Sequence, residues 1–469
     1  DDLWEFDDQV LRKYHRWLTY SLAPTRKCMG PYGTDGCRSM FYGGTASTLL
    51  LTAERYQDGT IQWLYDTITA TPDVWILGYP MVETLGVLNG ASSPTPVDPG
   101  TVFPLGTVMR ENEHVYMRTG WGENDIAYTT RCGLAGNHSQ REHGNLILYA
   151  DGHNYLQAYN AYDDGDPMGA NAAKNYVLID GKGQALPPSM TDRMGEVTAF
   201  LHAGSADYQN CDNSYAYNVR PSDPTSQPVD YSTHQVVFVR PDASEGGYFV
   251  VLDRIKATGS ATHDYDFLLH GGCDHQTGSG AGDCHDPVSI ASDGAGAFAV
   301  QASSSTQSLA VRFVDPAPAS VQYTLSPMPV ASFPDYLSVS GPSASLTGEF
   351  FAVLFPEDPT TIPARLAPAV ARLDPGTNQV GALLTLAAAT DTVLWSKDGS
   401  ATSYGGIVSD ARLVVTRDDG AVSFAALFEG QTLTIAGVEY LAATAVTSAV
   451  WQRTSTGVEV TVGNEVAAT

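Results

Sequence analysis

The chain is short of positive charge: lysine and arginine number 25 against 52 aspartates and glutamates, a formal net charge of −27. A field of that sign repels nucleic acid, anionic membranes and anionic polymers at long range, so neither nucleic acid nor a membrane surface is an expected partner. An acidic substrate would have to meet a local basic cluster, and solubility in salty surroundings accounts for the acidity equally well. Long apolar runs are also missing; the best, 382–389, is too short to span a bilayer. The chain opens at Asp1-Asp2 without a basic start and apolar run, so in an exported protein a leader is expected to have been removed already, and further sequence may be expected ahead of it.

Charged residues make up only 16% of the chain, glycines number 45 and tyrosines 24, and valine-rich segments alternate with polar ones, which together indicate an exported β-protein, secreted or periplasmic. Its 469 residues are enough for two or three domains. Six cysteines fit three disulfides in an oxidising compartment. Cys28 and Cys37 flank one glycine-rich loop and Cys273 and Cys284 another, which leaves Cys132 and Cys211 as a long-range pair. This is one of about fifteen connectivities open to six cysteines. The rival for the second loop is a zinc site of Cys273, His275, Cys284 and His285, although its spacing matches no common finger. Asp274, Asp283 and Asp286, like Asp163, Asp164 and Asp166, lack the regular alternation of a calcium loop and read as solvated turns.

Leu3, Phe6, Val10, Tyr14, Trp17 and Leu18 recur at helical spacing, and helical patterns return at about 45–56 and 60–69. Residues 89–100 are dense in turn formers and read as a linker. Beyond them the period becomes that of strands, at 114–118, 125–130, 145–150, 176–179, 235–239, 247–252 and 266–270. Prolines between 316 and 334 interrupt the pattern, and strands resume towards the end, including 411–416, 423–428, 432–435 and 458–462. The expected fold is mainly β with a small α N-terminal part: helices over 1–88, a linker at 89–100, a β-sandwich over 101–335 and a smaller β-domain over 336–469.

The most informative stretch runs from Met117-Arg-Thr-Gly-Trp121, through Arg131-Cys-Gly and Gly136-Asn-His-Ser-Gln-Arg-Glu-His-Gly144, to Ala173-Lys-Asn-Tyr-Val-Leu-Ile-Asp-Gly181. This order resembles the heparinase II/III-like polysaccharide lyases. Their β-domain carries an Arg-Ser-Gly-Trp strand, a His-x-His-x-Asp segment and an Ala-His-Asn strand leading to Asp-Gly. The resemblance covers roughly residues 100–270. It implies that the N-terminal helices are the end of an incomplete α/α toroid, packed on an antiparallel β-sandwich.

Carried over by position, His138 matches the first histidine of the family segment, at the catalytic cleft. Gln140 stands where a second histidine, a zinc ligand, would be, and Glu142 matches the aspartate. Gln157 or Ala158 lies where the family has a zinc-binding aspartate, and Lys174 replaces the histidine of the Ala-His-Asn strand. Gln and Lys are poor zinc ligands, so no cofactor is expected; Lys174 should fill the space and pair with Glu142. The family's tyrosine acid/base and its carboxylate-neutralising Asn or His lie on helices well upstream. Only 137 residues precede His138, so those groups are expected on an N-terminal toroid portion outside this chain.

β-Elimination removes the C5 proton of a uronic acid, beside its carboxylate, and expels the glycosidic oxygen at C4. It needs a group to neutralise the carboxylate, a base and an acid. His138 suits the base or the carboxylate clamp and Arg141 a guanidinium fork. His143, Tyr32 and Tyr155 are candidate substrate contacts, whereas Trp121 reads as core. The bland alternative, histidines merely hydrogen-bonded on a sandwich rim, stands beside this. The expected function is a lyase acting on an extracellular uronic-acid polysaccharide, this chain being its C-terminal portion; the alternative is a non-catalytic glycan-binding or structural homologue.

Overall fold

The structure, a computed structural model, describes residues 3–26, 40–70, 75–77, 93–135, 141–157, 171–189, 191–242, 245–273, 275–277, 283–294, 296–302, 305–320, 322–328, 334–361 and 364–463, with the side chains of these apart from 3–10, 40–45, 47, 75–77, 275–277, 283 and 285. Helices α1 (Leu3–Ser21), α2 (Gly43–Tyr56) and α3 (Gly59–Ala70) form where the apolar spacing predicts them. Leu18, Leu22, Leu49, Ala53, Ile61, Leu64 and Ile68 make their shared core. Among the described residues no helix is long and apolar enough to cross a membrane.

The rest is built in layers of antiparallel sheet. An eight-stranded central sheet has Gly348–Glu357, Tyr248–Ala257 and Val229–Val239 as neighbours near its middle. Their crossing segments, 236–239, 248–252 and 350–355, are apolar at every position because both faces are covered. Val236, Phe238, Phe249, Val251, Phe350 and Leu354 point to one core. Their neighbours Val237, Val239, Tyr248, Val250, Phe351 and Val353 point to the other. Alternation carries successive side chains to opposite faces, so two-sided burial erases the polar half of the pattern. Each fully buried side chain of this size contributes about 1.5–3 kcal/mol.

On the first face lie a five-stranded sheet (Gly106–Met109, His114–Arg118, Ala127–Arg131, Ile147–Ala150, His153–Leu156) and a four-stranded one (Gln322–Ser326, Tyr336–Ser340, Tyr265–His270, Val177–Ile179). On the second lies a nine-stranded sheet formed from residues 369–463, whose Val380, Val393, Trp395, Leu413 and Phe428 complete the second core. The expected boundary at 335/336 is therefore corrected. Tyr336–Ser340 pairs with Tyr265–His270, and Gly348–Glu357 lies between Ser308–Asp315 and Tyr248–Ala257. The proline-rich interruption joins strands within the sandwich; the final sheet begins at Ala369.

The outer face of the five-stranded sheet receives α1. Tyr20, Tyr116 and Trp121 pack together, and Ala23 meets Ala127, Ile147 and Tyr149. Arg118 fastens the junction: its Nη2 donates to the Tyr20 and Leu22 carbonyls at the end of α1, and its guanidinium lies 4.7 Å from the Trp121 ring centroid. Trp121 is 7% exposed, as core.

Candidate functional site: the helix and sheet junction

Near the end of Ala127–Arg131, around residues 141–145, lies a polar interior. Arg131 donates through Nη1 to Glu142 Oε1 at 2.6 Å and through Nε to the Leu134 carbonyl at 2.8 Å. Glu142 is wholly buried. Lys174, also wholly buried, has its ammonium pKa brought down to about 7, chiefly by burial; the Glu142 carboxylate opposes the shift and the Arg141 guanidinium adds to it. Glu142 thus acts on Lys174 through its charge while its carboxylate receives the Arg131 hydrogen bond.

Arg141 does not present an open fork. It is 6% exposed, donates to Thr225 Oγ1 at 3.2 Å and lies 3.7 Å from Asp223 Oδ2. His143 has no exposed surface. Its backbone is held by Gln184 and Asn213, and burial, then the nearby Arg131 and His114, keep its pKa well below the ordinary histidine value. Gly144 turns the chain there with φ of 75°, and a Cβ at this position would meet Asn213 Nδ2 at 2.5 Å. Tyr155 is likewise buried, with its phenol pKa raised by burial. Arg141, His143 and Tyr155, the expected catalytic and substrate contacts, are thus all enclosed in this structure. His138, Gln140, Tyr32, Ala158, Cys28 and Cys37 lie outside the described residues.

Asn145 and Asn175 bind this interior to the four-stranded sheet. Asn145 Oδ1 accepts from the Asn175 backbone at 2.7 Å, and Asn175 Oδ1 accepts from the His270 backbone at 2.7 Å. Cys132, next to Arg131, is joined to Cys211, closing a sequence separation of 79. Cys273 and Cys284 are not joined, which corrects the short-loop expectation. The hairpin register pairs Gln276 with Cys284, so the position facing Cys273 is three residues further along, roughly 10 Å away at strand spacing and beyond disulfide reach. Among the described residues no group of three or more His, Cys, Asp or Glu side chains is arranged as a metal site.

A cluster of exposed cations lies elsewhere, on α1. Arg12, Lys13 and Arg16 line a cavity of about 590 Å³ between α1, the start of α3 and the segment 97–103. Lys13 and Arg16 also line a second cavity, of about 740 Å³, between α1 and the turn at 108–112, with Tyr14 and Trp17. Trp17 Nε1 donates to His114 Nδ1 at 3.2 Å, and His114 pairs across the sheet with Arg131, so the second cavity lies towards the Arg131 end of the sheet. The sequence carried a signal for these cations: three of them within one helical turn and a half of an otherwise acidic chain, on the side away from Leu18 and Leu22.

Stacked antiparallel sheets covered at one end by helices define the class as a lyase-like β-sandwich fold. Among solved structures this chain is similar to the heparan sulfate lyase HepC from Pedobacter heparinus, at a TM-score of 0.53 and 13% identity over 80% of this chain and 51% of that one. It is similar to heparinase III at 0.52 and 13%, over 82% and 54%. A second heparinase III gene product matches at 0.54 and 12%, over 84% and 53%. The fold is heparinase-like, and the chain spans about half the length of these structures. No protein-family model and no curated protein sequence matches it.

Proposed function

We propose that this chain is the β-sandwich portion of an exported lyase that cleaves a uronic-acid polysaccharide by β-elimination. The observation that carries the reading is the junction between α1 and the five-stranded sheet, where Lys13 and Arg16 stand beside Trp17 in a chain of net charge −27 with a heparinase-like fold. Cations there supply the local attraction that an acidic polymer needs against the surrounding field. His138 is the proposed base, by its match to the family segment. Neutralising the substrate carboxylate falls to Lys13 at the junction, since Arg141 is engaged in the interior. The Cys132–Cys211 disulfide supports export to an oxidising compartment.

The zinc site of the family is proposed to be replaced. Lys174 is buried where an imidazole would stand, and Gln140 occupies a second ligand position. Elemental analysis of the purified protein should find no stoichiometric zinc; about one equivalent, lost on changing Gln140, would overturn this.

The complete gene product should release products with the ultraviolet absorbance of a C4–C5 double bond from at least one of alginate, glucuronan, hyaluronan, chondroitin or heparan sulfate. His138→Ala should lower that rate by ~10²-fold or more while leaving the fold intact. The burial of Arg141 and His143 favours a second reading, a glycan-binding protein without catalysis. Binding across the panel with no unsaturated product would establish it.

A further inference from the structure

The cavity between α1, the start of α3 and the segment 97–103 has the makings of a binding site. Arg12 and Arg16 stand one turn apart on α1 and line it. The Arg12 guanidinium lies 4.5 Å from the Tyr56 ring centroid, and that of Arg16 lies 5.5 Å from the Phe103 ring. An aromatic face orients a guanidinium stacked on it, and a guanidinium binds planar or tetrahedral oxyanions through its N–H edge.

Asp58 is the acidic group lining this cavity among the described residues. Its Oδ1 accepts from the Thr60 backbone at 2.9 Å and from Thr60 Oγ1 at 2.7 Å, capping α3, and its Oδ2 stands 3.8 Å from Arg12. Among the described residues no carboxylate comes within ion-pairing distance of Arg16. The cavity therefore carries positive charge in excess, within a chain that is strongly acidic elsewhere.

His15 is the second observation. It lines the same cavity, is 1% exposed, and neither ring nitrogen has a hydrogen-bond partner among the described residues. Burying such a group unsatisfied is unfavourable, and a hydroxylated ligand would satisfy it. Burial lowers its pKa to about 4 against the pull of Asp58, so at neutral pH the ring offers one donor and one acceptor. A neutral donor and acceptor beside two guanidiniums matches a hydroxyl next to an oxyanion, and the volume of about 590 Å³ exceeds what an inorganic ion requires.

We propose that this cavity is an accessory site for one acidic sugar residue, with its carboxylate or sulfate between Arg12 and Arg16 and a ring hydroxyl on His15. The site rests on the reading of the ligand as an acidic polysaccharide, but not on cleavage. It would hold a sugar next to the one at the Lys13 and Trp17 cavity, since the two cavities adjoin along α1.

The test is calorimetric binding to the full chain of three tetrasaccharides: an unsulfated glucuronate oligomer, a sulfated counterpart and a neutral cellulose-derived one. The acidic oligomers should bind and the neutral one should not, and the tighter of the acidic pair identifies carboxylate or sulfate as the recognised group. Arg12→Ala and Arg16→Ala should each weaken binding by about tenfold or more, and His15→Phe by severalfold, with circular dichroism unchanged. Lys182→Ala, which removes an exposed cation elsewhere, should leave binding unaltered. Equal binding of the neutral oligomer, or wild-type affinity in both arginine variants, would overturn the site. Failure of the lyase reading is registered separately, by the absence of ultraviolet-absorbing product while this binding persists.

Discussion

Two sets of cations in this molecule look alike in sequence and behave oppositely. Arg131, Arg141 and Lys174 lie inside the sandwich; the Arg131 side chain is 6% exposed and its partner Glu142 is wholly enclosed. Arg12 and Lys13 on α1 have side chains 46% and 65% exposed, and their pairings with Asp58 and Glu111 are open to solvent. An enclosed ion pair is hard to break and has little scope to exchange partners, because the charge left behind stays desolvated. A pair at the rim contributes little to stability and yields readily to a ligand. Motif matching led to the first set, whereas access to solvent belongs to the second.

The largest test of that contrast is Arg131→Met, which leaves the Glu142 carboxylate enclosed without its guanidinium. A loss of about 3–5 kcal/mol is expected in urea unfolding. Arg16→Ala should change stability by no more than about 0.5 kcal/mol. Comparable losses in the two variants would erase the distinction between interior and rim.

Opening the covalent tie beside Arg131 comes next. Replacing Cys132 and Cys211 by serine releases a loop of 79 residues and should cost about 2–4 kcal/mol, seen as a lower thermal midpoint. An unchanged midpoint would mean that the polar interior is held by its ion pairs alone.

Lys174 sharpens the comparison through pH. Its folded pKa of about 7 lies below the ordinary 10.5, so between these values the unfolded chain keeps a proton that the folded chain has released. Stability should therefore rise with pH across that window. Measured as the difference from Lys174→Met, the wild type should gain over about pH 7 to 10.5; a flat difference would place the ammonium in a better-solvated setting than its burial implies.

The smallest expected effect is at Tyr155. Its hydroxyl is buried with no hydrogen-bond partner among the described residues, so Tyr155→Phe should leave stability unchanged or raise it by up to about 1 kcal/mol, with glycan binding unaltered. Weakened binding in calorimetry would return Tyr155 to the list of ligand contacts.

Much of the architecture was legible in local spacing. The apolar positions of α1 predict a helix over 3–22 and the structure has Leu3–Ser21; the expected strand at 114–118 is His114–Arg118. Other strands begin or end differently: the one expected at 235–239 starts at Val229, and those at 423–428 and 432–435 are a single strand, Val422–Ile435. Period and composition follow from each residue's own backbone preferences and from the face that must avoid water, and both are written in adjacent residues. On the same basis the sequence determined a β-rich chain with three N-terminal helices and a core role for Trp121, whereas the Cys132–Cys211 pair was one of about fifteen connectivities open to it.

What covers each face is contributed by residues far away in the chain, and that only the tertiary structure decided. Gly348–Glu357 enters the central sheet between strands that begin at Ser308 and Tyr248, which moved the expected domain boundary. Asp223 and Thr225 meet Arg141 and Gln184 holds His143, so segments far away in the chain enclose both. The approach of α3 and the segment 97–103 to α1 makes a cavity of Arg12, His15 and Arg16, residues whose local pattern reads only as a helix surface. Burial and access are properties of pairs of distant segments, and a pattern confined to neighbouring residues does not contain them.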